Sequence, residues 1–248
     1  MKIVAIVPAR SGSKSVVDKN LQEVQGISLL AWSVGISKMV DVAIPVFVDT
    51  DSPDYALEAQ KSGATVPFLR HENLASDTST DFETLKAFCS GLELSPDTIV
   101  LHLRPTTPLR SPNVVRRGVR TFVDGANAFT ALRSVHENPT SPYKAFEMEP
   151  DKQLKPVAGL TRSMAESNLP RQSFPTTYLG NGYVDLFRVS NLTEYGTVHG
   201  PRVLGFVTEF ALDADSEEEL TQIRLASNQP EHRLVAQKLK PECGEDKY

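Results

Sequence analysis

Apolar runs and helix-spaced apolar positions alternate along the first half of the chain. Residues 3–7 read Ile-Val-Ala-Ile-Val, an unbroken run of the kind that forms a strand covered on both faces. Helical spacing follows at 29–39, an apolar strand run at 42–48 and a second helix at 53–62. The rhythm then repeats, with a strand expected at 66–69, a helix at 80–92, a strand at 98–103 and a helix at 112–123. Such alternation predicts an α/β fold: a Rossmann-like, mainly parallel sheet with helices on both faces. After an apolar stretch at 130–135 the pattern breaks. Residues 136–178 are rich in Pro, Thr, Ser and charge, with short alternating runs such as Tyr143-Lys-Ala-Phe-Glu-Met148. They read as a small lobe of extended segments and turns inserted into a single domain spanning 1–248. Apolar residues at 203–207 and a helix over 217–225 lead back to the main sheet, and residues 238–248 read as a polar, frayed tail.

Composition narrows the class. A chain of 248 residues with 40% hydrophobic content can bury a full core. No apolar run approaches the ~20 residues that span a membrane, and the opening Met1-Lys2 with five apolar residues is too short for a signal peptide. A net charge of −5 argues against a general nucleic-acid binder. Cys89 lies in a helical pattern and Cys243 in the polar tail, so no disulfide framework is implied. The cytoplasm is the expected compartment.

The candidate chemistry begins where the first strand stops. Ser11, Gly12 and Ser13 let the backbone approach a ligand and turn its N–H groups toward it. Arg10, Lys14 and Lys19 add the charge that a polyphosphate needs. The loop is not a P-loop, and Gly12 lacks the partners of a dinucleotide fingerprint; taken alone, it is equally a strand-to-helix turn with solvated lysines. Arg10 and Arg104-Pro105 both follow strands, so they fall on the same carboxyl-terminal rim, where ligands of open α/β sheets bind. Asp213 and Asp215 are two apart, which in an extended segment puts both carboxylates on one side, suited to Mg²⁺. Asp215 also precedes Ser-Glu-Glu-Glu and is a candidate N-cap. For Asp49-Thr-Asp51 a capping role is expected, with Asp51 at the helix start. His102 and His136 receive no role.

Five blocks, in register from residue 3 to about residue 220, resemble the CMP-sialic acid synthetase (acylneuraminate cytidylyltransferase) family. They are Ala9-Arg-Ser-Gly-Ser-Lys14 with Lys19-Asn20; Phe68-Leu-Arg-His-Glu-Asn-Leu-Ala-Ser-Asp77-Thr-Ser79; Leu103-Arg-Pro-Thr-Thr-Pro-Leu-Arg110; Arg171-Gln172 with Pro175, Tyr178 and Asn181-Gly182; and Leu212-Asp-Ala-Asp215. Ser15 stands where the family usually has Gly, His71 where it has Pro, and Arg104 where many members have Gln. The resemblance implies attack of a sugar-acid hydroxyl on the α-phosphate of CTP, dependent on Mg²⁺. It assigns Arg10, Lys19, Asp213 and Asp215 to catalysis, with Asp213 and Asp215 holding the metal. Arg10, Ser11, Gly12, Ser13, Lys14, Lys19, Asn20, Arg70, Asp77 and Ser79 are implied to bind the nucleotide. Arg104, Thr106, Lys144, Arg171, Gln172, Tyr178 and Asn181 are implied to receive the acid. It also implies a homodimer formed through the lobe, and CTP and an acidic sugar as partners. Other expectations stay open: an eight-carbon keto-acid or phosphonate acceptor, a metal-dependent glycosyltransferase, or a non-catalytic nucleotide binder.

Overall fold

The computed structural model describes residues 2–76, 78–125, 128–157 and 163–240. Six strands make the central sheet: β1 (Ile3–Pro8), β2 (Val46–Asp49), β3 (Ile99–His102), β4 (Ala131–Glu137), β5 (Tyr178–Arg188) and β6 (Val203–Val207). Their order is β6-β4-β5-β3-β1-β2. All run parallel except β5, which is antiparallel to both β3 and β4.

Side chains alternate across this sheet, as the two-residue period of a strand requires. Ala5, Val7, Ile99 and Leu101 face one core with α1 (Leu29–Val40), α2 (Pro53–Lys61) and α4 (Pro112–Asp124). Val4, Ile6 and Val100 face the other, against Leu85, Phe88 and Cys89 of α3 (Asp81–Gly91). Helices therefore cover both faces, as the alternation predicts. Side-chain caps fix where several begin: Ser28 for α1, Ser52 for α2, and a Thr80–Glu83 capping box for α3.

Three expectations need correction. Residues 66–69 form no strand; Thr65 alone bridges to Phe47, and Pro67 supplies no N–H to extend a ladder. Strand β2 starts at Val46, not 42, because Pro45 precedes it and Ile44 N closes a turn onto Asp41 O at 3.1 Å. Residues 238 and 239, expected in a frayed tail, are helical. After α5 (Glu217–Ala226), α6 runs Pro230–Leu239 and packs on α1; a Cβ on Gly35 would run into the Leu239 side chain. Residues 241–248 lie outside the described ones.

Between β4 and β5 the chain makes a small hairpin, Phe146–Met148 with Leu154–Pro156, and single helical turns at Pro142–Lys144, Glu166–Asn168 and Arg171–Ser173. Tyr143 stacks on Phe174 with centroids 5.7 Å apart. Met148, Leu154, Met164 and Leu169 are exposed on this segment.

Candidate active site

A cavity of about 210 Å³ opens at the carboxyl-terminal ends of β1 and β3. Arg10, Ser13, Lys19 and Asn20 line it from the loop after β1, and Arg104, Pro105 and Thr106 from the loop after β3. Arg70, Ser79 and Asp81 complete the wall. The rim expected from the strand ends is thus one site.

The loop after β1 is tied down from beneath. Asn20 is buried and donates its amide to Arg10 O at 3.0 Å. Asp51 accepts from the Ser11 backbone N at 2.8 Å and from Ser11 Oγ at 2.6 Å. Here the capping expectation for Asp51 fails: Ser52 caps α2, accepting from Tyr55 N at 3.4 Å, and this leaves Asp51 to grip the loop. Gly12 sits at φ +70° with open space around it, a conformation that glycine adopts without strain. Lys14 is exposed on the same loop.

Arg70 is a buried strut. Its Nε and Nη2 meet the Asp49 carboxylate at 3.0 and 2.7 Å, and Nη2 also reaches Asp49 O at 3.2 Å. With side chains 6% and 2% exposed, this pair ties the segment after β2 to the strand end, unlike an ordinary surface bridge. Ser79 Oγ donates to Asn73 O at 3.3 Å. Asp77 lies outside the described residues.

Arg104 is held at both ends. Its carbonyl accepts from Ser33 Oγ at 3.2 Å and Arg110 Nη2 at 2.8 Å. Its guanidinium splits between Asp185 on β5, at 2.9 Å, and Asp81 at the start of α3, at 2.7 Å. Burial works against the Arg104 charge, but the two carboxylates outweigh it and raise its pKa. Burial alone would raise Asp81; the charge and hydrogen bond of Arg104, with smaller help from His102 and Arg70, together lower its pKa. Beneath them, His102 is fully enclosed, and burial pushes its imidazole down to about 3. It lies under the cavity floor as a neutral ring, edge-on to Phe187 at 6.4 Å. Arg110 is also buried; it donates to Tyr183 O at 2.7 Å and Gly182 O at 3.0 Å and so pins the loop after β3 to β5.

Asp215 reaches the mouth from the other side, its Oδ1 3.0 Å from Lys19 Nζ. It is not the cap of α5. Ser216 is, accepting from Glu219 N at 3.2 Å, while Glu219 accepts from Asp215 N at 3.1 Å. Asp213 Oδ1 is buried with no hydrogen-bond partner, and Ala214 N between them donates to Thr106 O at 2.8 Å.

Other expected residues stand elsewhere. Arg171 and Gln172 line a separate hollow of about 430 Å³ with Ser141 and Phe174, and Arg171 pairs with Glu137 at 3.0 Å. Lys144 lies 5.7 Å from the centre of the Phe174 ring. Tyr178 is half exposed at the start of β5. Asn181 is inward and structural, donating to Thr208 Oγ1 at 2.7 Å and Glu209 O at 3.0 Å. A larger groove of about 780 Å³ lies beside α4 and α6, but none of residues 10–20 reaches it. Its place at the strand ends and its motif residues Arg10, Lys19 and Arg104, not its size, make the smaller cavity the candidate site.

A family model for cytidylyltransferases matches residues 4–229. The chain belongs to the cytidylyltransferase family. It is 37% identical over 123 residues to the CMP-N,N'-diacetyllegionaminic acid synthase of Legionella pneumophila, covering 48% of this chain and 52% of that one. To the N-acylneuraminate cytidylyltransferase of Escherichia coli it is 35% identical over 121 residues, covering 49% and 28%. The matches thus span about half the length of one relative and under a third of the other. The family resemblance carried by the five sequence blocks is borne out. A solved structure of CMP:2-keto-3-deoxy-manno-octonic acid synthetase complexed with CTP superposes with TM-score 0.68 at 16% identity, covering 92% of this chain and 99% of that one. That likeness concerns the fold.

The cytidylyltransferase framework was legible in the motifs; its supports were not. Asp51, Asp81 and Asp185 carry the loop after β1 and the Arg104 side chain, yet none falls in a motif. Asp185 did leave a signal, as an acid within the apolar stretch Tyr183-Val-Asp-Leu-Phe187.

Proposed function

We propose that this chain transfers CMP from CTP to a hydroxyl of an acidic keto-sugar of the nonulosonate (sialic-acid-like) class, releasing pyrophosphate. One observation carries the reading: Arg10, Lys19 and Arg104, from motifs about ninety residues apart, open onto a single cavity at the strand ends. The relatives' own substrates supply the acceptor class.

The acceptor oxygen bonds to the α-phosphorus as the bond to the bridging oxygen breaks, and pyrophosphate leaves. Such a displacement depends on positioning and charge stabilisation more than on covalent help. Arg10, Ser13 and Lys14 bind the triphosphate, Lys19 faces the departing pyrophosphate, and Asn20 and Asp51 keep the loop in shape for both. Ser79 and the Arg70 segment form the cytidine side, with Asp77 assigned there by resemblance. Thr106 and Arg104 flank the acceptor; Lys144, Arg171, Gln172 and Tyr178, which stand outside this cavity, are assigned to it by resemblance, through the lobe of a second subunit.

Asp213 and Asp215 fit Mg²⁺. One Asp213 oxygen is buried without a partner, and Asp215 is exposed beside Lys19. No group of three or more His, Cys, Asp or Glu residues able to hold a metal occurs among the described residues, and Mg²⁺ on a nucleotide needs only one or two carboxylates besides phosphates and water. When bound, the ion supplies charge neutralisation on the phosphate oxygens.

The exposed Met148, Leu154, Met164 and Leu169 support a homodimer through the segment between β4 and β5. A CTP-consuming step fits the cytoplasm, and among the described residues no helix is long and apolar enough to cross a membrane. Arg104, standing where many members have Gln, motivates a second acceptor class, an eight-carbon keto-acid. The test is pyrophosphate release with CTP and Mg²⁺ against a panel of nine- and eight-carbon acidic sugars, with UTP and ATP as controls. CTP-specific turnover with a nine-carbon acid is expected; silence across the panel with CTP still bound overturns the reading.

A further inference from the structure

We propose that Asp81 occupies, in the free protein, the position on Arg104 that the acceptor's carboxylate takes during the reaction, making Asp81 a specificity-determining residue. This rests on the cavity being the site of CMP transfer.

The charges around Arg104 require an exchange. One guanidinium already meets two carboxylates, Asp185 at 2.9 Å and Asp81 at 2.7 Å. A Gln at this position would need no counter-ion; Arg104 does, and it has a surplus. A third carboxylate brought to the same cation meets net negative charge unless one of the residents leaves.

Only one resident is free to go. Asp185 lies within β5, its side chain 3% exposed, opposite His102 in the β3–β5 ladder. Moving it would strand a buried charge. Asp81 is 57% exposed and is the first residue of α3. The helix start does not depend on its side chain, because Thr80 Oγ1 accepts from Glu83 N at 3.2 Å and Glu83 accepts from Thr80 N at 2.9 Å. Asp81 leaves into solvent, where its carboxylate is rehydrated, while Arg104 keeps Asp185 at 2.9 Å, so an anionic ligand can take the vacated place without leaving the guanidinium unpaired. A neutral ligand has nothing to offer Arg104 in return and leaves the pair closed. The exchange thus selects against uncharged acceptors.

The experiment compares the intact protein with Asp81→Asn. Acceptor KM, CTP KM and the inhibition constant of the acceptor's methyl ester are measured for both, after matching melting curves show that the variant folds. Removing the resident anion is expected to lower the acceptor KM by about fivefold, with CTP KM unchanged and the uncharged ester bound equally by both proteins. An acceptor KM that stays level or rises overturns the exchange. A fall in CTP KM instead would mean that a phosphate takes Arg104, and overturns it too. Absence of turnover in the unaltered protein would sink the functional reading separately. Calorimetric binding of the same acid then decides the exchange: tighter binding to Asp81→Asn supports it, and equal binding overturns it.

Discussion

The cavity rim and the segment between β4 and β5 carry the two halves of the same expected chemistry, yet they are built differently. At the rim, two cations rest on buried carboxylates, Arg70 on Asp49 and Arg104 on Asp185, and buried Asn20 holds the Arg10 carbonyl; Lys19 instead has an exposed partner, Asp215. In the β4–β5 segment the corresponding pair, Arg171 with Glu137, has both side chains more than half exposed. Buried partners fix a side chain before any ligand arrives, which is what stabilising transition-state charge requires. Exposed pairs leave a side chain able to reorganise around a ligand or a second subunit. The rim is thus the more rigidly held of the two, as the proposed phosphate-binding role requires, whereas the pair at the β4–β5 segment is held loosely.

The sharpest way to break that contrast is to remove one anion from each region. Asp49→Ala leaves the Arg70 guanidinium buried and unpaired, so a loss of about 3–5 kcal/mol in unfolding free energy is expected. Glu137→Ala removes an exposed partner and is expected to cost less than about 1 kcal/mol. Urea denaturation of both variants reads the difference directly. Comparable losses would mean that the rim is no more rigidly built than the segment between β4 and β5.

The second test moves from folding to chemistry. Lys19 stands at the mouth with 13% of its side chain exposed and Asp215 as its partner. Lys19→Ala is expected to lower kcat by about 10²-fold, because a positioned cation acts on charge that develops in the transition state. Steady-state pyrophosphate release measures it. A rise in KM alone, with kcat intact, would make Lys19 a binder of the ground state.

What the sequence shows and what it hides follow from the same contrast. Arg10, Lys19 and Arg104 sit in local motifs, so they were visible, and they fall in one cavity. The residues that hold them are distant in the chain: Asp51 meets Ser11 across 40 positions, and Asp185 meets Arg104 across 81. No local pattern reports such pairs. Helix α3 was readable from its apolar spacing, whereas both caps read from the sequence, Asp51 and Asp215, give way to the serine that follows each. Residues 66–69 misled because their apolar character outweighed the one residue that mattered, Pro67. Helix α6 was missed because it has few inward positions, of which Ala236 alone is fully buried.

The smallest expected effect concerns the floor beneath the rim. His102 is enclosed, with Nε2 lacking a partner, and its folded pKa falls to about 3. The unfolded chain's imidazole takes up a proton near its ordinary value of 6.5. Between those two values the unfolded state binds more protons, so stability drops as pH falls through that window. From about pH 8 to about pH 5 this one group removes about 2 kcal/mol. His102→Leu deletes the titration while keeping an apolar side chain on the floor. Urea denaturation at both pH values is therefore expected to show about 2 kcal/mol less acid loss in the variant than in the unaltered protein. Equal losses would mean that the folded cavity floor accepts the proton after all. Asp81 and Asp185, which favour the charged ring, would then outweigh its burial.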